Sequence, residues 1–256
     1  MYKKIKKKIK KKVFKKFFTE YNVVQKVVQK NNYSDFSSQE LDIINRVKPF
    51  TMTSPERIVS LTRAINYIEE NNIEGSIVEC GVWKGGSMMA ALLALKKKTR
   101  SIYMYDTFEG MSEPTIEDNS FKNESAQKAY LKKDDSWKRI ECYSSLNEVE
   151  NNIYNTNYPK DKISFVQGKV EDTIPKTIPD KIAVLRLDTD WYESTMHEMV
   201  YLYPILVKGG VIIIDDYGHW KGCKKAVDEY LLKQNIKLLL NRVDYTCRIG
   251  IKLEDG

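Results

Sequence analysis

Residues 184–218, VLRLDTDWYESTMHEMVYLYPILVKGGVIIIDDYG, decide the fold of this chain. Residues 182–187 and 211–214 are short apolar runs rich in β-branched side chains, which is typical of strands buried in a parallel sheet. Residues 194–206 place apolar side chains at helical spacing, and we expect Gly209 and Gly210 to end that helix. A strand, a helix and a second strand of these lengths form a right-handed crossover, so the two strands should run parallel.

Both predicted strands end in acidic residues. Asp188 and Asp190 follow the first strand, and Asp215 and Asp216 follow the second. Because the carboxyl ends of parallel strands meet at one edge of a sheet, these four carboxylates should lie close together and repel one another. A hard divalent cation bound by oxygen atoms would relieve the repulsion, and Mg²⁺ is the first candidate, with another divalent ion as the alternative. Any single aspartate could instead cap the helix that follows it.

The rest of the chain continues the alternation of strands and helices. Residues 109–143 form a polar stretch with little periodicity, apart from helical spacing at 125–132, and its length favours a lid or a substrate loop. Helix starts are indicated by Ser37 or Ser38, by Ser54-Pro55-Glu56, and by Ser145 with Glu148. Strands are predicted at 76–79, 101–105, 163–167, 236–241 and 246–252, the last two as an antiparallel edge pair, and helices at 39–48, 54–71, 86–97, 145–154 and 222–233.

Length and charge predict one α/β domain with additions at its N-terminal side. We divide the 256 residues into a basic amphipathic tail (1–18), a helical cap (19–75) and an α/β domain (76–256). The formal net charge of +7 comes from the tail, because residues 1–16 contain ten lysines and no acidic residue. The remainder is slightly acidic, so nucleic acid is not an expected partner.

The tail combines its lysines with an apolar stripe that includes Phe14, Phe17 and Phe18. Such a basic amphipathic helix is typical of segments that lie on an anionic membrane surface. Alternatively, the stripe docks on its own domain or on a partner chain, for example in a homo-oligomer.

Nothing in the sequence predicts export or a membrane span. No apolar run approaches the ~20 residues that a span requires, and the basic start is not followed by the apolar segment of a signal peptide. Cys80, Cys142, Cys223 and Cys247 are scattered, which disfavours zinc and predicts reduced thiols. We therefore expect a cytoplasmic protein, with the tail as a means of reaching the inner face of the membrane.

A glycine-containing turn, residues 77–87 (IVECGVWKGGS), follows the first predicted strand of the sheet. It does not match G-x-G-x-x-G, which argues against a pyrophosphate of a dinucleotide on the helix. An acid at the strand end, Glu79, suits a ligand with a positive group, such as the amino-acid end of S-adenosylmethionine (SAM). Asp106, at the end of the second strand, is placed to bind ribose hydroxyls. The alternative is a tight structural turn in which Trp83 merely packs.

Four segments together resemble the macrocin O-methyltransferase (TylF/MycF-type) family: residues 79–87 (ECGVWKGGS), 106–110 (DTFEG), 185–195 (LRLDTDWYEST) and 209–218 (GGVIIIDDYG). The pre-core residues 51–53 add to this resemblance. It implies a class I, Rossmann-like methyltransferase sheet of the α/β class, mostly parallel with an antiparallel C-terminal edge. It also implies SAM as donor, Mg²⁺, and a sugar hydroxyl as acceptor.

The resemblance also assigns roles to individual positions. The metal aspartates fall on Asp188, Asp215 and Asp216, and Asp190 is the candidate general base, with Asp188 beside it in catalysis. Thr189 and Trp191 depart from the glycine and leucine expected there, so the shape of the acceptor site should differ. The residues implied in SAM binding are Thr53, Glu79, Gly81, Trp83, Gly85, Gly86, Ser87, Asp106 and Thr107.

We therefore predict a SAM- and metal-dependent O-methyltransferase that acts on a small-molecule sugar, either nucleotide-linked or part of a surface polysaccharide. One alternative is a catechol-type O-methyltransferase, which would use a metal ion in the same way but act on an aromatic diol. A non-catalytic scaffold that uses the basic tail at a membrane is another. His219 follows the second acidic pair and is a candidate for the wall of the acceptor pocket, whereas no role is predicted for His197.

Overall fold

The computed structural model describes residues 33–133, 135–138 and 140–254. Its seven-stranded sheet has the order β3-β2-β1-β4-β5-β7-β6. The strands are β1 (Ser76–Cys80), β2 (Ile102–Asp106), β3 (Ile163–Gln167), β4 (Ile182–Leu187), β5 (Leu206–Ile214), β6 (Asn241–Arg242) and β7 (Arg248–Ile251). The helices are α1 (Ser38–Val47), α2 (Pro55–Glu70), α3 (Gly86–Ala94), α4 (Ala126–Lys132), α5 (Asp135–Lys138), α6 (Leu146–Tyr154), α7 (Val170–Thr173), α8 (Tyr192–Tyr201) and α9 (Lys221–Lys233), with 3₁₀ turns at Lys48–Phe50 and Lys160–Lys162.

The sheet confirms the predicted fold class. Strands β1 to β5 pair in parallel, and β7 pairs antiparallel with β5 and with β6. Alternate residues of β4 and β5 enter two different hydrophobic clusters, with Val184 and Val211 on one side of the sheet and Leu185 and Ile212 on the other. Burial on both faces explains why these strands are continuously apolar in sequence.

The central crossover has a shorter helix than its spacing predicts. Helix α8 ends at Tyr201, and β5 already begins at Leu206. The prediction that Gly209 and Gly210 end the helix is therefore wrong, because both glycines lie inside β5. The backbone N–H of Gly209 donates to the carbonyl of Lys252 at 2.7 Å, so the glycine pair extends the sheet.

Two further boundaries differ from the predicted ones. Helix α3 stops at Ala94, because the Glu69 carboxylate accepts the backbone N–H groups of Lys96 and Lys97 (2.8 and 3.0 Å) and draws the chain off the helix. Of the strand predicted at 236–241, only Asn241 lies in a strand, as the first of the two residues of β6.

The helices before the sheet start where their caps predict. The hydroxyl of Ser37 accepts from the backbone N–H of Glu40, and the Glu40 carboxylate accepts from the N–H of Ser37. Residues 33–41 belong to one compact unit, and a second unit begins at Asp42. In this second unit, Ile58 and Ile65 of α2 share a hydrophobic cluster with Met88 of α3. The predicted boundary at residue 75 therefore falls within one compact unit.

The polar stretch predicted as a lid or substrate loop is fastened to the carboxyl edge of the sheet. Its Asp118 is fully buried and accepts the backbone N–H of Tyr192 at 2.8 Å, which caps helix α8 from a distance. The side chain of Trp191 donates to the Ser112 carbonyl at 3.0 Å, and Ser120 forms a β-bridge with Trp220. These contacts make the stretch a wall of the carboxyl edge.

The four cysteines are free thiols, as predicted. Within the described ranges, the structure contains no helix that is long and apolar enough to cross a membrane. The predicted tail, residues 1–18, lies outside the described residues.

Candidate active site

A cavity of about 290 Å³ opens at the carboxyl edge of the sheet, where the resemblance places the site. The register explains its position, because Leu187 of β4 pairs with Cys80 of β1 and with Ile214 of β5, so the three strands end at one level. Of the residues predicted to form the site, the cavity wall contains Thr53, Gly81, Trp83, Gly86, Ser87, Asp106, Thr107, Asp188, Asp190, Asp215 and Asp216.

The glycine turn is shaped by close contacts between backbone segments. Gly81 has φ +82°, and a Cβ there would collide with the carbonyl of Asp188. A Cβ on Gly86 would collide with the carbonyl of Phe50, which covers the start of α3. The glycines thus let the turn approach both the β4 end and the 50–53 segment. The Thr53 hydroxyl lies 3.3 Å from that of Ser87, so that segment reaches the helix start.

Asp106 organises the turn as well as lining the cavity. One carboxylate oxygen accepts the backbone N–H groups of Val82 (2.6 Å) and Trp83 (3.0 Å), and the other accepts that of Phe108 (2.8 Å). The acid at the end of β2 therefore fixes the turn at the end of β1.

Glu79 and Gly85 are the two predicted cofactor residues outside the cavity wall. Glu79 is 1% exposed; one of its carboxylate oxygens accepts from Arg186 at 2.6 Å, and the other has no partner. Burial raises the pKa of Glu79 to about 7, against the opposing effect of Arg186. Gly85 caps α3 in the left-handed region, φ +86°, and faces Ile153 and Val149.

The three predicted metal aspartates come together. Asp188, Asp215 and Asp216 each offer an oxygen, and these atoms all lie within 4.8 Å of one another. Removal from bulk water and the neighbouring carboxylates raise the pKa values of Asp188 and Asp216 well above the usual range, although Arg186 opposes this for Asp188. One carboxylate oxygen of Asp216, Oδ2, is buried without a partner.

Two arginines, for which sequence reasoning gave no role, balance part of this charge. Arg186 is 3% exposed and donates to Glu79, to Asp188 at 2.7 Å and to Asp215 at 2.6 Å. Arg57, from the first turn of α2, pairs with the other oxygen of Asp215. An arginine in the otherwise apolar run 182–187 is the signal that could have identified Arg186.

Asp190 stands apart from the arginines and faces the cavity. Its backbone is in the left-handed region, φ +66°, which places a non-glycine residue in an uncommon conformation. Its carboxyl group interacts with the side chains of Asp216 and Trp220, which oppose the rise of its pKa. Removal from water, reinforced by the charges of Asp188 and Asp215, raises the pKa of Asp190 to about 7. A carboxyl group with a pKa near neutrality suits a general base.

Thr189 and Trp191, the two departures from the family pattern, hold the loop around Asp190. The Thr189 hydroxyl donates to Glu198 at 2.9 Å, and Glu198 is fully buried in α8. Trp191 packs edge-on against Trp220, with ring centroids 5.1 Å apart. Thr189 and Glu198 are nine positions apart, so their hydrogen bond forms only in the folded chain.

The two histidines occupy different environments. His219 lies in the cavity wall, as its sequence position suggested, with its Nδ1 3.3 Å from the hydroxyl of Tyr245. Burial lowers the pKa of His219, so the ring is neutral at pH 7. His197 is outside the cavity wall, and its Nε2 lies 2.9 Å from the carbonyl of Ile174.

The strand order and the position of the cavity define a class I SAM-dependent methyltransferase. The chain belongs to the macrocin O-methyltransferase (TylF) family, whose profile matches residues 2–249. It is thus a SAM-dependent O-methyltransferase.

Curated relatives and solved structures agree with this assignment. The chain is 33% identical over 197 residues to a demethyldecarbamoylnovobiocin O-methyltransferase of Streptomyces niveus, covering 76% of this chain and 72% of the relative. It is 29% identical over 197 residues to a mycinamicin III 3''-O-methyltransferase of Micromonospora griseorubida, covering 76% and 75%. The structure of the O-methyltransferase NovP aligns with a TM-score of 0.69 at 30% identity, over 80% of this chain and 83% of that one.

Proposed function

We propose that this enzyme transfers the methyl group of SAM to a hydroxyl of a sugar, and that a divalent metal ion is required. The observation that carries the proposal is the cavity in which Asp190 stands beside the cluster of Asp188, Asp215 and Asp216. The named activities of the relatives in Streptomyces niveus and Micromonospora griseorubida support an acceptor of the natural-product type. For this enzyme we propose that the sugar is nucleotide-linked or part of a surface polysaccharide, and that the reaction takes place in the cytoplasm.

The chemistry of the cluster fits a hard divalent cation such as Mg²⁺. Three carboxylates converge, Asp216 has an unpartnered buried oxygen, and burial together with the neighbouring carboxylates raises the pKa values of Asp188 and Asp216. Asp188, Asp215 and Asp216 would hold the ion. When bound, it supplies positive charge that lowers the pKa of an acceptor hydroxyl and fixes its orientation.

Asp190 would serve as the general base. A sugar hydroxyl is a weak acid and a poor nucleophile, so a carboxylate must take its proton as the oxygen attacks. SAM supplies a methyl group on a sulfonium, whose positive charge disappears on transfer, so the leaving group needs no acid.

We assign the methionine part of SAM to the glycine turn and to Thr53; the turn residues concerned are Gly81, Trp83, Gly86 and Ser87. Asp106 and Thr107 would bind the ribose. Each of these residues lines the cavity. Glu79 and Gly85 lie outside the wall, so we assign them indirect roles. Glu79 would position Arg186, and Gly85 would give α3 its start.

Replacing Asp106 by alanine should weaken SAM binding. A lost hydrogen bond to a charged group costs on the order of 1.5–3 kcal/mol, which is roughly a ten- to hundredfold rise in Kd. Because the carboxylate also fixes the backbone N–H groups of Val82 and Trp83, the melting temperature should fall as well. Calorimetry with SAM measures the first effect and thermal denaturation the second, and an unchanged Kd would contradict the proposed role.

A panel of acceptors tests the proposed substrate class. Purified full-length protein is incubated with SAM, Mg²⁺ and separate nucleotide-linked sugars, polysaccharide fragments, uncharged glycosides and catechol. We expect a methyl ether on a sugar hydroxyl, located by NMR. Methylation of catechol alone would refute the sugar proposal.

We also propose that residues 1–18 bring the enzyme to anionic membrane surfaces without taking part in the reaction. Attraction can reach about 1 kcal/mol per lysine near such a surface and is screened by salt. Deleting residues 1–18 should abolish co-sedimentation with anionic vesicles and leave turnover of a soluble acceptor unchanged. Failure of the full-length protein to sediment at low salt, or loss of turnover on truncation, would contradict this prediction.

A further inference from the structure

Asp215 is held from two sides by guanidinium groups that differ greatly in freedom. Arg186 contacts one carboxylate oxygen from the central strand β4, is 3% exposed, and is also tied to Glu79 and Asp188. Its burial and its three carboxylate partners fix the Arg186 side chain in place. Arg57 contacts the other oxygen from the first turn of α2, and its side chain is 16% exposed and lines the cavity.

Arg57 has a second carboxylate partner outside the cluster. Its Nε lies 2.9 Å from Oδ2 of Asp244, in the turn between β6 and β7. Asp244 is itself fixed, because its Oδ1 accepts the backbone N–H groups of Thr246 and Cys247 (2.9 Å each) and its Oδ2 accepts from the Ser54 hydroxyl (2.9 Å). A formed ion pair therefore remains for Arg57 if it releases Asp215.

A metal ion and Arg57 would compete for the charge of Asp215. The Asp215 oxygen lies within 4.8 Å of those of Asp188 and Asp216, so an ion shared by the three would be close to the Arg57 guanidinium. Two cations this close repel strongly where bulk water is excluded, and salt screens the repulsion little.

We propose that Arg57 is a built-in competitor for the metal site. It neutralises Asp215 in the metal-free protein, and metal binding moves it onto Asp244. This inference rests on the proposed metal dependence. It implies that the free energy needed to displace Arg57 weakens metal binding, and that Arg57 keeps the Asp215 carboxylate paired when no metal is bound.

Metal titrations of variants test this competition. Full-length wild type and Arg57→Met are titrated with Mn²⁺, followed by electron paramagnetic resonance, without SAM or acceptor. The Kd of Arg57→Met should be about tenfold lower, because a positive charge beside the ion is removed. The matched control is Arg63→Met, an exposed arginine on the same helix, which should leave the Kd unchanged.

A second variant moves the affinity in the opposite direction. Asp244→Asn removes the charge on which Arg57 would settle but keeps an oxygen for the backbone N–H groups, so Arg57 should hold Asp215 more firmly. The Kd for Mn²⁺ should rise about tenfold, by the same Coulomb argument. Because this variant retains Arg57, it tests the proposal even if Arg57→Met fails to fold.

The outcomes separate this inference from the proposed function. If wild type binds Mn²⁺ and Arg57→Met binds it equally or more weakly, the competitor role is overturned and metal dependence stands. If neither wild type nor Arg57→Met binds Mn²⁺, metal dependence falls, and the inference falls with it.

Discussion

Asp216→Asn should lose turnover by about a thousandfold, which corresponds to roughly 4 kcal/mol of transition-state stabilisation. Asp216 has a buried oxygen without a partner and no ion pair with an arginine among the described residues. Its replacement therefore removes a proposed metal ligand without leaving a guanidinium unpaired. Asp215→Asn would be harder to interpret, because it also deprives Arg186 and Arg57 of a partner, and breaking a buried ion pair typically costs about 3–5 kcal/mol of stability.

Binding measurements distinguish this loss from general damage. Calorimetry should show that Asp216→Asn binds SAM as tightly as wild type while its affinity for Mg²⁺ is lost. Asp180→Asn removes the same charge at an exposed position before β4, far along the strand from the carboxyl edge, and should keep full activity. Full turnover in Asp216→Asn, or in wild type with excess EDTA, would refute the metal hypothesis.

Asp190→Asn should lower kcat by about 10²–10⁴-fold, the usual contribution of a general base. The backbone of residue 190 has φ +66°, a conformation that asparagine tolerates as well as aspartate does, so the loop should keep its shape. The variant therefore removes the proton acceptor and little else, whereas alanine would add backbone strain.

The pH dependence gives a second readout for the same residue. The base must be deprotonated, so kcat/KM of wild type should fall as the pH drops through the pKa of Asp190. That pKa is about 7 without a cation, and a bound divalent ion would lower it, so the acidic limb should lie at or below pH 7. This limb should disappear in Asp190→Asn. Wild-type kcat in the variant, or an unchanged acidic limb, would show that another group takes the proton.

Sequence alone predicts the parts of this protein that depend on local pattern. Strand β3 begins and ends at the predicted residues, and the caps at Ser37, Ser54 and Ser145 lie at the predicted helix starts, because each depends on neighbours within a few positions. The acids at the ends of β4 and β5 could be placed together because parallel strands share a carboxyl edge.

The contacts that shape the site depend instead on residues far apart in sequence. Arg57 and Asp215 are 158 positions apart, and Asp118 caps a helix 74 positions further along. No local pattern distinguishes Arg57 from Arg63 on the same helix as a partner of the acidic cluster. The prediction of a strand at 236–241 was wrong for a related reason. The apolar side chains of this segment pack against the hydrophobic cluster beneath α9, and most of the segment does not pair as a strand.

The contact between Gly81 and the Asp188 carbonyl links the proposed donor half of the site to the proposed acceptor half. Any side chain at residue 81 would push the end of β4 away, so a change meant to alter the donor site would also displace the aspartates. A substitution at residue 81 would therefore alter both halves of the site at once. Attempts to give the enzyme a new acceptor should instead vary cavity residues that reach the site from other segments, namely Met52, Met111, Ile140, Cys142 and His219.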